Sequence, residues 1–276
     1  MKIVNVCSEA YPYVKTGGLG DVTYSLSKQL AKDNEVAIFL PLYSRIKNKL
    51  SDPKLVGNVD VHLSWRHEQC NVFYEKNNGI NFYFIENRHY FEREGIYGFD
   101  DDGERFALFT QAVVKAMEAM KFVPDIIHIH DWQVGMLPAL IKENKLEFYK
   151  NTKFVLTIHN SAFLGYLDKD ALGNLYNLPT DIFYNGNVKL FDRVSTLRAA
   201  IHYCDKIVAV SPTNRNELLN NESSNGLDGP LRMREFDFTG ILNGIDVDGF
   251  NPKTDKYITS NYDSSSIKNK IENNTE

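Results

Sequence analysis

The chain has 276 residues, of which 43% are hydrophobic and 24% charged, with a formal net charge of −5 at neutral pH. This length buries one large α/β core or two smaller ones, the composition is that of a globular protein, and the acidic balance argues against a basic nucleic-acid face. Cys7, Cys70 and Cys204 are widely spaced without a Cys-x-x-Cys pair, no apolar run approaches the ~20 residues of a membrane span, and no signal-peptide core is present; together these predict a cytoplasmic protein with no membrane contact and no structural zinc.

Ile3–Cys7 has the form of a buried strand, and Leu19–Lys32 that of an amphipathic helix. Between them stands Lys15-Thr16-Gly17-Gly18-Leu19-Gly20-Asp21. Glycines there let the backbone turn and approach a ligand closely. The free N–H groups at a helix start, favoured by the helix dipole, make an anion site, and Lys15 adds a mobile cation. The stretch therefore reads as a cradle for a diphosphate leaving group. It is neither a P-loop nor a dinucleotide fingerprint, and an ordinary glycine-rich turn with a solvated lysine is the other reading of the same residues.

Glu35–Pro41 supplies a second strand. Residues 55–91 differ: Val72–Lys76 and Ile80–Ile85, joined through Asn77-Asn78-Gly79, predict a β-hairpin inserted at the edge of the sheet. Asp100-Asp101-Asp102 reads as an acidic helix start before Glu104–Met120. Further strands are predicted at Asp125–Asp131, Phe154–Asn160, Lys206–Ser211 and Thr239–Asn243, with helices at Gln133–Lys145, Val194–Tyr203 and Pro212–Asn220. Nearly continuous apolar strands alternating with helices predict an α/β fold, Rossmann-like and doubly wound, on a mainly parallel sheet. The domain is expected over 1–252, followed by a polar linker or tail over 253–276.

Open α/β sheets bind ligands beyond the carboxyl ends of their strands. Asp131, His159-Asn160, Ser211 and Asn243 all stand at such ends, on the side of the glycine loop. Ser211-Pro212 reads first as a helix cap, and Asn243-Gly244 first as a turn. His128 alternates inward as a core residue, which leaves His159 and Asp131 as the catalytic candidates. His128-x-His130 lacks a third close ligand and Asp246-Val247-Asp248 sits in a polar loop, so neither a metal nor a cofactor is expected.

The glycine motif, His130-Asp131-Trp132-Gln133, His159-Asn160, Val210-Ser211-Pro212, Gly226-Leu227-Asp228-Gly229 and Ile241-Leu242-Asn243-Gly244-Ile245-Asp246 occur in the order and spacing of the bacterial glycogen synthase and plant starch synthase family, which the chain resembles from Met1 to about Pro252. The resemblance implies one half of a two-domain retaining glycosyltransferase, the N-terminal one, with a C-terminal domain of the same enzyme as partner. It further implies ADP-glucose as donor and the non-reducing end of an α-1,4-glucan as acceptor. Lys15, Gly17 and Gly18 would then contact the diphosphate, with Asp21 and Asn160 among the substrate-binding residues. His159 would sit by the transferred glucose, with Asp131 and Asn243 nearby. Arg198 stands where the family commonly has Lys, and Phe250 where Trp is usual. The alternatives are another retaining glycosyltransferase with a different sugar nucleotide and a glucan-binding module without catalysis.

Overall fold

Runs of β-branched and aromatic residues become the centre of one large sheet. In the computed structural model, which describes residues 1–274, the strands are β1 (Lys2–Val6), β2 (Glu35–Pro41), β3 (Lys54–Leu63), β4 (Arg66–Asn77), β5 (Ile80–Glu86), β6 (Ile126–His130) and β7 (Lys153–Ile158), then β8 (Tyr166–Leu167), β9 (Lys189–Leu190), β10 (Arg193–Ser195), β11 (Lys206–Ala209) and β12 (Phe238–Gly240). Nine of them form one sheet in the order β12-β11-β7-β6-β1-β2-β5-β4-β3. Pairing is parallel from β12 through β5 and antiparallel for β5-β4 and β4-β3. Val4, Val6, Ile38, Phe39, Ile127, Ile129, Leu156 and Ile158 are solvent-free. Burial on both faces is why these strands read as continuous apolar runs.

The chain leaves β1 for β2 on one side and returns to β6 on the other, so the strand order reverses between β1 and β6. That reversal opens a crevice at the carboxyl ends. The helix Gly18–Leu30 packs on β2, Asp102–Ala119 on β3 and β5, Thr196–Tyr203 on β7, and Pro212–Leu218 on β11 and β12. Ser211 caps the last of these, its Oγ accepting from Asn214 N at 2.9 Å, and Ser195 Oγ likewise accepts from Arg198 N at 3.1 Å. The helix expected over Gln133–Lys145 is instead a 3-10 turn, Trp132–Val134, followed by a helix Leu137–Glu143. Pro138 sits at the start of that helix, where its missing N–H leaves no bond unmade.

The predicted hairpin joins β4 to β5 through Asn78 and Gly79, at φ 48° and 80°. Both positive values suit the turn whose twist matches that of the strands. β5 also pairs in parallel with β2, which ties the hairpin into the main sheet, and β3 extends the edge by one more strand. A second, small antiparallel sheet, β8-β10-β9, lies in a stretch with no strand signal, because runs of two or three residues carry no periodicity.

Met1–Asn243 forms one compact unit, and the residues from Gly244 onward form another. In the smaller unit Asp246 Oδ1 accepts from the backbone of Asp248 and Gly249 at 3.1 and 3.2 Å, so this acidic pair builds a turn. The stretch expected as a linker or tail has polar bonds of its own, such as Asn273 Nδ2 to Ser260 O at 2.9 Å; its Thr275 and Glu276 lie outside the described residues. Among the described residues no helix is long and apolar enough to cross a membrane, and Cys7, Cys70 and Cys204 are buried free thiols.

Candidate active site

A cleft of about 660 Å³ opens at the carboxyl ends of β1, β6, β7, β11 and β12, and Gly17, Gly18, Asp131, His159, Asn160 and Asn243 all line it. A second concavity, about 690 Å³ around Met1, Lys2 and Glu35, lies at the amino ends, away from where such sheets bind ligands. The 13-residue helix begins at Gly18, and its N-cap, Gly17, offers no side-chain acceptor to the amides of the first turn. Those donors are left for water or a ligand.

The glycines work differently from the tight turn that the sequence suggests. Gly17 is extended, at φ −154° and ψ −166°, a conformation open to any residue. A Cβ on Gly17 or Gly18 would meet nothing within 4 Å, so both present bare backbone to open space. The steric need is at Gly20, where a Cβ would come within 2.7 Å of Lys15 Cβ and 3.2 Å of Val14 O. Lys15 and Asp21 do not line the cleft. Lys15 Nζ instead pairs with the Asp21 carboxylate at 2.9 and 3.0 Å on the exposed rim beside the glycines.

At the end of β6 the buried Asp131 adopts φ 57° and ψ −166°, a backbone region that side chains rarely occupy. Its N–H bonds Thr157 O at 3.1 Å, and its Oδ1 accepts from His159 N at 2.7 Å and Asn160 N at 3.3 Å. The carboxyl thus sets the turn that carries His159 to the cleft. Burial pushes Asp131 up to about 7, against those two amide bonds and helped by the charge of Glu9.

His130, set aside above as a metal ligand, links His159 to the core. Its Nδ1 lies 3.0 Å from His159 Nε2 and its Nε2 lies 3.2 Å from Asn5 Oδ1, while Asn5 Nδ2 donates to Ser27 Oγ at 3.0 Å. An amide oxygen only accepts, so His130 carries its proton on Nε2 and His159 donates from Nε2. His159 Nδ1 is then that ring's acceptor. Burial keeps all three histidines neutral: His159 is pushed down to about 4, His128 to about 3 and His130 well below the ordinary value, the last two helped by neighbouring imidazoles. His128 is a core residue bonded to Thr157 Oγ1 at 2.7 Å.

Two cleft residues, Glu9 and Tyr97, carried no sequence signal. Glu9 is buried after β1 and anchors the glycine loop through Thr16 N and, at 2.9 Å, Thr16 Oγ1. It also accepts from Tyr97 OH at 2.7 Å, holding the 92–101 loop over the cleft. Asp102 accepts from Gly98 N at 2.8 Å and pairs with Arg105, which is wholly buried and also donates to Tyr90 O at 2.7 Å. The expected acidic helix start is therefore a clamp on that loop. Gln133 lines the cleft with its Oε1 buried and without a protein partner. Arg198 does not line it.

The profile of the family described as starch synthase catalytic domain matches residues 2–233. A glycogen synthase of Clostridioides difficile is 43% identical over 281 residues, covering 99% of this chain and 58% of the relative. A glycogen synthase of Bacillus subtilis is 42% identical, covering 100% of this chain and again 58% of the relative. The chain thus spans somewhat over half the length of the curated relatives it matches. The solved catalytic domain of starch synthase IV from Arabidopsis thaliana, bound to ADP and acarbose, superposes with a TM-score of 0.91 at 30% identity, over 98% of this chain and 57% of that one.

Proposed function

The chain belongs to the starch synthase catalytic domain family, and on that premise we propose that it forms one wall of a retaining glucosyltransferase that moves glucose from ADP-glucose to the non-reducing end of an α-1,4-glucan. One observation carries the reading: the uncapped helix start at Gly17 and Gly18 shares a single cleft with His159 and Asp131. Cleaving the C1–oxygen bond sends its electron pair to the diphosphate and leaves positive charge on the sugar. Fixed amides, with Lys15 swinging from Asp21, meet the first charge; a lone pair on His159 Nδ1 and the Asp131 carboxyl suit the sugar side. Asn160 and Asn243 supply further polar contacts to the substrates. ADP in the Arabidopsis relative supports an ADP-linked donor. The remaining length of the relatives completes the nucleotide site in this reading, and the enzyme works in the cytoplasm.

The test is radiolabelled ADP-glucose with a glycogen primer and the protein at the full length of its relatives. Label entering glycogen with retained anomeric configuration is the expected result. Transfer only from another nucleotide sugar would move the chain to a different donor specificity. Glucan binding without transfer from any donor would leave a binding module.

Gln133 Oε1, buried in the cleft without a partner, is an acceptor for a substrate hydroxyl. Gln133→Leu is expected to lower kcat/KM about tenfold, the cost of one hydrogen bond, with no loss of thermal stability. An unchanged kcat/KM would show that water serves this oxygen during turnover.

A further inference from the structure

We propose that the outer face of the β3–β4 hairpin is a divalent transition-metal site, of the kind that takes zinc, built from Asp60, His62 and His67. β3 and β4 are joined by a two-residue turn, Ser64-Trp65, with Leu63 opposite Arg66 and His62 directly opposite His67. In such a hairpin the pair flanking the turn exchanges hydrogen bonds, and the next pair is the unbonded kind whose side chains approach most closely. The two imidazoles accordingly lie 4.0 Å apart between ring centroids. Asp60 is two residues back along β3 and so projects from the same face. Its Oδ2 is 2.9 Å from His62 Nε2, and one ligand atom from each of the three residues lies within 4.8 Å of the others. Tetrahedral zinc with bonds near 2.0–2.1 Å needs its ligands about 3.3 Å apart. The Asp60 and His62 side chains, each 46% exposed, are free to close that gap by rotation.

The donor set selects the ion. Two imidazoles with one carboxylate suit zinc and its neighbours, whereas magnesium and calcium prefer oxygen throughout. Three protein ligands leave a fourth position for water. The supporting contacts are in place: Gln69 Nε2 donates to Asp60 Oδ1 at 3.1 Å, orienting the carboxylate, and Asn177 Nδ2 bonds His62 O at 2.7 Å. The His62 hydrogen bond keeps the Asp60 carboxyl below its usual range, with the charges of His62, His67 and Lys115 adding to the effect. Bound metal would replace the Asp60–His62 bond and pin the edge strand β3 to β4. None of the three residues lines the cleft, so the proposal stands apart from the glucosyl-transfer reading. Among the described residues no other group of three or more potential ligands comes this close together.

The experiment is calorimetric titration of zinc into chelator-treated, tag-free protein near neutral pH, repeated with His67→Ala and Asp60→Asn. The expected result is one equivalent bound below about 100 μM zinc, a raised Tm, and affinity lowered about tenfold or more in both variants. Excess magnesium should not compete. Both substitutions are at exposed positions, and matching circular dichroism spectra would confirm unchanged folding. No saturable binding, or binding untouched by either substitution, overturns the site.

Discussion

In the enzyme at the full length of its relatives, Lys15→Gln is expected to lower turnover by the equivalent of about 2–4 kcal/mol of transition-state stabilisation. Lys15 Nζ is exposed on the rim beside Gly17 and Gly18 and is held by Asp21 at 2.9 Å, an exposed pair of little intrinsic strength. In the proposed reaction a diphosphate on the open amides would offer two negative charges where Asp21 offers one, so the ammonium would move to it at small cost. The interaction grows as the leaving group gains charge, so the loss falls on kcat more than on KM. Because the lysine is on the rim, its removal leaves the fold unchanged. Turnover within threefold of the parent, measured at saturating donor, would mean that the amides act without it.

Acidification is expected to destabilise the large unit steeply. Folding depresses the pKa of His159 to about 4 and that of His128 to about 3, and holds His130 well below its ordinary value. Between those values and the unfolded value of about 6.5, the unfolded chain binds the protons and the folded one does not. The stability is therefore complete above that range and falls as pH drops through it. His202, depressed by burial and by Arg198 and Arg234, acts in the same direction. Asp131 opposes: its folded pKa is raised to about 7, so the folded chain holds a proton that the unfolded chain has lost, and this contribution disappears as pH rises. Glu118, raised by burial, opposes as well at the lower end. The depressed histidines outnumber the raised carboxyls, so the net slope is positive and steepens as pH falls below the ordinary histidine range. Urea unfolding at several pH values between 7 and 5 measures the slope, and His159→Asn should flatten it by about one proton. Stability that stays level on acidification would show that the histidines ionise in place.

The local pattern of residues determined most of the frame. Burial on both faces leaves its mark within a single strand, so Ile3–Cys7, Glu35–Pro41 and Phe154–Asn160 were legible as parallel strands. Asn78-Gly79 marked its hairpin, and Ser211-Pro212 its cap, because turns and caps depend on neighbours one to three residues away. Polar residues just past strand ends, Asp131, His159, Asn160 and Asn243, were placed at the cleft by the rule that parallel strands share one carboxyl edge. Only the tertiary structure decided what those groups bond to. The His159–His130–Asn5–Ser27 chain spans residues 125 apart in sequence and exists because β6 pairs with β1. Tyr97 reaches the cleft because Glu9 and the Asp102–Arg105 pair hold its loop there, and Lys15 stays on the rim because Asp21 binds it. The Asp60–His62–His67 group likewise depends on the register of β3 against β4. Periodicity reports the burial of one element at a time, whereas these contacts depend on strand order and register, which the sheet sets only when all its strands are assembled.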